Sequence, residues 1–304
     1  MQRDARRPTA ARAALLAALI ALGTAARADD GRFAAAQVSR VTTASAASGD
    51  IALVEKTHQL SLGLHRFGNA DASLDLGLEY QYTRYEYDNL DSRNRDLHRL
   101  QVPLRWRLPG ERWRFAGVVA PGLATSSNVL RNPADRLTGD DLLLTARAEG
   151  RYGRGDRVPY VGLAYDRFFG RPAWYPVAGI DIAAGPRWQL RVGLPDPSVT
   201  FRLSERQSLN ASAYPAGSQW HVVTDDLSDE FLYRVEAYRG RVTWSLRLAG
   251  VVVDAFAGLE FERRHRLDDA TGADVRLRVK DQWVFGVALR STSAPLRFVH
   301  GYRR

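Results

Sequence analysis

In SLDLGLEYQYTR (73–84), Leu74, Leu76, Leu78, Tyr80 and Tyr82 occupy every second position, with Asp75, Glu79 and Gln81 among the residues between them. Side chains two apart on an extended strand share a face, so the segment makes a two-sided ribbon and not a helix. The design recurs along the chain. Leu100, Val102, Leu104, Trp106 and Leu108 oppose Arg99, Arg105 and Arg107; Leu142, Leu144, Ala146 and Ala148 oppose Arg147 and Glu149; Trp188, Leu190, Val192 and Leu194 oppose Gln189 and Arg191. In EFLYRVEAY (230–238) the apolar set is Phe231, Tyr233, Val235 and Ala237, against Arg234 and Glu236. RVTWSLRL (241–248) sets Val242, Trp244, Leu246 and Leu248 against Arg247, and in 274–289 odd positions from Val275 to Leu289 are mostly apolar, with Arg276 and Arg278 between them. No segment carries a sustained 3.6-residue stripe.

Alternation alone suits a soluble sandwich as well as a membrane barrel, because each has one apolar and one polar face. Four features favour the barrel. Strand-like runs are about ten residues long, the length that crosses a bilayer as a tilted strand. Short links at 67–72, 108–112, 153–157 and 238–241 interleave with longer polar connections at 85–97, 123–140 and 215–229, which is the asymmetry of an up-and-down barrel. Two links break that rhythm: GLPDPSV (193–199) is tight where a long loop is due, and DDATG (268–272) is long where a short one is due. Aromatic residues gather near segment ends, so Tyr80, Tyr82, Trp106, Trp113, Trp188, Trp244 and Trp283 form the expected girdle at the lipid headgroups. The chain has no cysteine, so a closed hydrogen-bonded wall must do what disulfides do elsewhere in exported proteins.

That export is itself read from residues 1–28, where Arg3, Arg6, Arg7 and Arg12 precede the apolar run AALLAALIALG and AARA ends at Ala28. Eleven apolar residues are too few to span a bilayer as a helix, so this is a cleaved secretory signal. Its removal takes away five Arg and one Asp, lowering the net charge of +9 by four. Arginine then recurs singly rather than in one run, which excludes a nucleic-acid surface. Residues 29–50, rich in Ala and Ser, read as a mobile leader, and 51–304 as the barrel.

The expected fold is therefore an all-β, antiparallel up-and-down transmembrane β-barrel of about twelve to fourteen strands in a bacterial outer membrane, lipid outside and charge inside. The expected lumen residues are Arg99, Arg105, Arg107, Arg147, Glu149, Arg191, Arg234, Glu236, Arg247, Asp254, Glu260, Arg276 and Arg278. Its partners are outer-membrane lipid and the barrel assembly machinery. The chain ends RFVHGYRR, so Phe298 or Tyr302 would have to serve in place of the terminal aromatic residue that machinery commonly reads.

The stretch 173–209 resembles a widespread family of uncharacterised bacterial proteins described as outer-membrane β-barrels. The resembling residues are Tyr175, Pro176, Val177, Ala178 and Gly179, then Trp188 and Leu190, then Gly193, Leu194, Pro195, Asp196 and Pro197. The resemblance implies a barrel in the outer membrane and supplies no activity, substrate or catalytic residue. Read physically, Pro-Asp-Pro is a rigid turn.

For function, a passive pore or transport-related barrel comes first, a lipid-modifying barrel hydrolase second and a closed structural or interaction barrel third. His58, His65, His98, His221, His265 and His300 have no partner at metal-ligand spacing, so no metal or other cofactor is expected. The strongest catalytic candidate is Ser218, His221 and Asp225 in SQWHVVTDD, assigned to a long loop. No catalytic residue is assigned, since neighbours in sequence do not make a triad. The tripeptide at Arg154–Asp156 reads as a turn.

Overall fold

The structure, a computed structural model, describes residues 33–45, 52–69, 72–88, 95–224, 229–269 and 274–292. The expected signal, the C-terminal aromatic residues and Asp225 lie outside them.

Among the described residues, the segments run in chain order β1 (Phe33–Ser45), β2 (Ala52–Gly68), β3 (Ser73–Asp88), β4 (Arg95–Gln101), β5 (Leu104–Leu108), β6 (Trp113–Ser126), β7 (Leu142–Tyr152), β8 (Arg157–Asp166), β9 (Ala173–Ala184) and β10 (Trp188–Leu194). There follow β11 (Ser198–Arg202), β12 (Gln207–Pro215), β13 (Ser218–Val223), β14 (Glu230–Leu248), β15 (Val251–Asp269), β16 (Asp274–Arg278) and β17 (Gln282–Ser291). Three pairs continue one another: β4 with β5, β12 with β13, and β16 with β17. The result is a closed antiparallel barrel of fourteen strands.

The barrel closes through β1, which pairs with β2 on one side and β17 on the other. Residues 33–45 of the expected leader are thus wall. Ala and Ser obscured this, because a strand sharing its edges with two neighbours needs backbone pairing more than bulky side chains.

The links sort by end. Residues 109–112, 153–156, 185–187, 203–206 and 249–250 make short turns at one end, called lower here, and at that end Asn69 N donates to Ala72 O between β2 and β3. The expected link at 238–241 is not a turn, for those residues lie inside the nineteen-residue β14. The true turn is Ala249–Gly250, with φ of +29° and +91°, a two-residue hairpin whose positive φ matches strand twist. With that shift, both exceptions fall on the upper end, where the longer connections are.

Outer-face residues on β14, β15 and β17 stack in rows fixed by the register: Leu246 with Val253 and Leu289, Trp244 with Ala255 and Val287, Val242 with Ala257 and Phe285, Gly240 with Leu259 and Trp283, and Tyr238 with Phe261. Val242, Phe285, Val287 and Trp283 are each about half exposed or more, so the apolar face points outward. From Val251 to Phe261 there are ten steps of about 3.3 Å, and at a tilt of about 40° the band is roughly 25 Å tall. That is the height of a hydrocarbon slab. The barrel spans a membrane.

Above the band the two faces exchange character. On β14, Arg239, Arg241, Thr243 and Ser245 face in below, whereas Phe231, Tyr233, Val235 and Ala237 are buried inside above. On β3 the exchange falls between Thr83 and Arg84: Tyr85 is buried and Tyr87 packs against the same core, while Arg84 and Glu86 turn outward. Strands of sixteen to nineteen residues overshoot the bilayer, and the overshoot is folded as in water, apolar inside.

This corrects the reading of 230–238, because Arg234 and Glu236 stand on the outer face. Arg276 and Arg278 do too, since a break at Lys280–Asp281 turns Leu277 and Val279 inward while Trp283 and Phe285 point out. A bulge does the same on β15, where Ala237 faces both Glu262, at φ +53°, and Arg263. One extra residue sends every later side chain to the opposite face.

The upper end also narrows. After Pro215, β13 lies against β14 on one side and bridges to β6 on the other, where His221 is opposite Thr125. Strands β7 to β11 end below that level. Gly217 sits at the kink, where an added Cβ would meet Val235 O at 2.5 Å, Gly170 N at 2.7 Å and Phe168 O at 2.7 Å, so only glycine admits three backbones so close.

Candidate functional site: the barrel interior

Three layers fill the interior. Uppermost is the apolar cluster, in which Leu53, Leu97, Trp220, Val222, Phe231 and Tyr233 pack together. Within it Tyr87, Tyr233 and His265 are hydrogen-bonded in sequence, and Arg263 Nε donates to His265 Nε2 at 2.9 Å. These polar tips are satisfied among themselves, as burial demands.

Beneath it lies a cavity of about 180 Å³. Its lining mixes neutral polar side chains, with Thr57, Gln59, Gln81, Asn210, Thr243 and Ser245 among them, with the charged Glu55, Arg99, Arg239, Arg241, Asp254 and Glu260 and several apolar residues. Trp220, Tyr85 and Phe168 form part of its upper boundary. These hydroxyls and amides come from the inward parity of β2, β3, β12 and β14.

Two charge networks stand inside the barrel, and the second reaches the cavity lining through Glu55, Arg239 and Glu260. In the first, Glu149 takes Arg151 at 2.7 Å, Arg147 at 3.1 Å and Arg191 at 3.2 Å, and Asp181 and Asp196 add further ion pairs. Arg191 also lies over the Tyr160 ring, 4.0 Å from its centroid. In the second, Arg263 bridges Glu55 at 2.5 Å and Glu260 at 2.9 Å, and Arg239 Nε donates to Glu260 at 2.8 Å. Asp254 with Arg290, Glu79 with Arg105, and Asp75 with Arg107 lie apart from these networks. Arg99 donates to Gln81.

Of the expected lumen residues, Arg99, Arg105, Arg107, Arg147, Glu149, Arg191, Asp254 and Glu260 therefore point inward. Arg247 is exposed beside the lower turn, and Arg234, Glu236, Arg276 and Arg278 are outside. Interior charges are mostly dry: Arg191 is 2% exposed, Arg263 1% and Glu260 2%. A wide water-filled lumen would leave such side chains wet, so the interior is a packed one with a central hollow.

Sequence reasoning missed Asp196 and Arg263. The former, read as shaping a turn, is buried and reaches Arg147 and Arg191 at 3.6 and 3.7 Å. Pro on each side of a lone acid in an otherwise tight turn was the available signal. Arg263 is inward only because of the bulge.

Around the outside, Tyr80 and Tyr82 lie near the upper edge of the band and Trp283 just below it, while Trp113 and Trp188 begin strands at the lower edge. Trp106 lies near the lower edge, its ring over Gly117. Trp244 sits well inside the band, level with Ala255 and Val287.

Ser218 and His221 occupy opposite faces of β13, Ser218 toward the cavity and His221 toward Asp141 at 2.9 Å and Glu230 at 2.8 Å. Three residues apart on a strand, they cannot converge on one substrate atom.

No family model matches the chain, and no curated protein matches it. Among solved structures it is similar to an outer membrane channel from Pseudomonas putida F1, at 12% identity and TM-score 0.48, over 88% of this chain and 98% of that one. It is similar also to the Pseudomonas putida toluene transporter TodX, at 12% identity and TM-score 0.39 over 91% and 93%, and to the translocator domain of the autotransporter NalP from Neisseria meningitidis, at 8% and 0.37 over 92% and 97%.

Proposed function

We propose that the protein is a transport-related barrel of the bacterial outer membrane whose exterior end rests shut. The carrying observation is the polar cavity inside the apolar band, roofed by Trp220, Val222, Phe231 and Tyr233. A hollow whose lining carries hydroxyls, amides and charged side chains at membrane depth hydrates a polar solute, and an apolar constriction above it bars passage. The end with longer connections faces the exterior and the short turns face the periplasm, the usual disposition of such barrels. Placement there rests on outer-membrane lipid around the band, with insertion by the barrel assembly machinery.

Planar-bilayer recording tests this. Wild-type protein should give rare openings, and Trp220→Ala with Tyr233→Ala should give frequent discrete conductance steps. Silence from both, with insertion verified, would reject the transport reading in favour of a closed structural barrel, which the buried ion-pair networks favour.

A further inference from the structure

We infer that the cavity beneath the apolar roof is a binding site for a small hydroxylated carboxylate, with Arg241 of β14 as the group that takes its charge. This site deepens the transport reading, on which its role rests, by naming a class of solute.

Every acid that lines the cavity is already held. Glu55 and Glu260 are bridged by Arg263, Glu260 is held by Arg239 as well, and Asp254 is held by Arg290 at 2.8 Å. Of the other two lining arginines, Arg99 donates to Gln81. Arg241 makes no hydrogen bond or ion pair among the described residues, and its buried Nε has no acceptor. Its contacts are to rings, with the guanidinium carbon 4.8 Å from the Phe256 centroid and 5.7 Å from that of Tyr214. Rings steady a cation but bring no counter-charge.

The register places this guanidinium at membrane depth. Arg241 pairs with Gly258 on β15, within the band from Val251 to Phe261, and with Ser212 on β12. An ionised group at that depth is costly without a partner, and a guanidinium edge meets a carboxylate through two parallel hydrogen bonds. Two hydroxyls beside it also lack partners: Ser212 Oγ directly across on β12 and Thr243 Oγ1 one inward step below on β14. Both residues are 8% exposed, and a buried hydroxyl left unpaired is costly too.

Size and lining define the rest of the ligand. At roughly 30 Å³ per water, a hollow of about 180 Å³ has room for about six waters, so the occupant is small. One uncompensated guanidinium matches a single negative charge. Asn210, opposite Thr243, gives its NH2 to Val199 O and Thr200 Oγ1, which leaves its carbonyl oxygen to accept from a ligand hydroxyl.

The test is calorimetric titration of protein refolded into detergent micelles. The probes are glycerate, with one carboxylate and two hydroxyls, glycerol, which lacks the charge, and propionate, which lacks the hydroxyls. Glycerate should bind at least about tenfold more tightly than either. Arg241→Gln should weaken glycerate about tenfold or more, and Arg264→Gln, on the outer face, should leave it unchanged. Arg241→Lys, which keeps the charge but not the two-pronged bond, should fall between wild type and Arg241→Gln, and Thr243→Val should weaken glycerate while sparing propionate. Circular dichroism and heat-modifiable gel migration establish that each variant is folded. Glycerate bound by neither wild type nor the roof variant Trp220→Ala with Tyr233→Ala, glycerol bound as tightly, or full binding by both Arg241 variants would overturn the site. Glycerate binding with silent bilayer recordings would overturn transport and leave the site standing; conductance without glycerate binding would do the reverse.

Discussion

An arginine moved along the outer face of β15 reports where the hydrocarbon is. Val251, Val253, Ala255 and Ala257 all point outward, and their heights follow from the rise of the strand. With the band running from Val251 to Phe261, its middle falls near residue 256, roughly 12 Å above Val251 at a tilt of about 40°. Arginine there costs roughly 2–4 kcal/mol in a bilayer, falling to about 0–1 kcal/mol at the edges. Ala255→Arg and Ala257→Arg should each lose the larger amount, Val251→Arg the smaller, and Val253→Arg an intermediate one. Gly240→Arg gives a point near the upper edge without steric confusion, since nothing lies within 4 Å of an added Cβ there. The assay is urea unfolding in phosphatidylcholine vesicles followed by tryptophan fluorescence. A flat profile near zero would mean the face meets water, and a uniformly large cost would mean it packs against protein; either result refutes the assignment.

Glu149→Gln removes one carboxylate from among Arg147, Arg151 and Arg191; breaking a buried network costs roughly 3–5 kcal/mol, and with Asp181 and Asp196 remaining the loss should fall at the low end in the same unfolding assay. Gly117→Val places a Cβ 2.2 Å from the Trp106 ring and 2.7 Å from Arg147 O, so it should cost roughly 1–3 kcal/mol and shift the tryptophan emission. His221, above the band, is lowered by burial but raised further by Asp141 and Glu230, and its net pKa is raised from 6.5. Its stabilisation is complete below 6.5 and is lost as pH rises through the raised value. Asp141 is raised by burial, but its bonds to His221, Thr125 and Thr138 bring it below 3.8, so its own contribution fails only in acid. The wild-type melting temperature should therefore drop toward that of His221→Gln as pH rises above neutral, and a constant difference between them would contradict this.

The barrel was legible because period 2 runs through long stretches of most strands, and the outward set Leu74, Leu100, Leu142, Trp188 and Val242 was readable by parity alone. The sense of the alternation was not. Phe231, Tyr233 and Val235 repeat at the same spacing as Val242, Trp244 and Leu246, yet the first set fills the interior and the second meets lipid. A period says that two faces differ, and only height relative to the bilayer says which faces which. One added residue at Glu262, and the break at Lys280–Asp281, changed parity without any mark in the pattern. Of the site, paired Arg and Glu near strand centres were visible, whereas Asp196 and Arg263 depended on turn and bulge geometry. The Thr, Gln and Asn lining of the cavity carries no sequence signature.

Because β14 and β15 bear charge on their outer faces above the band, with Arg234, Arg264 and Arg266 past its upper margin, the strands carry a rivet head at one end only. Sinking toward the short-turn end would drag guanidiniums into oil. Insertion from that side therefore has a built-in stop.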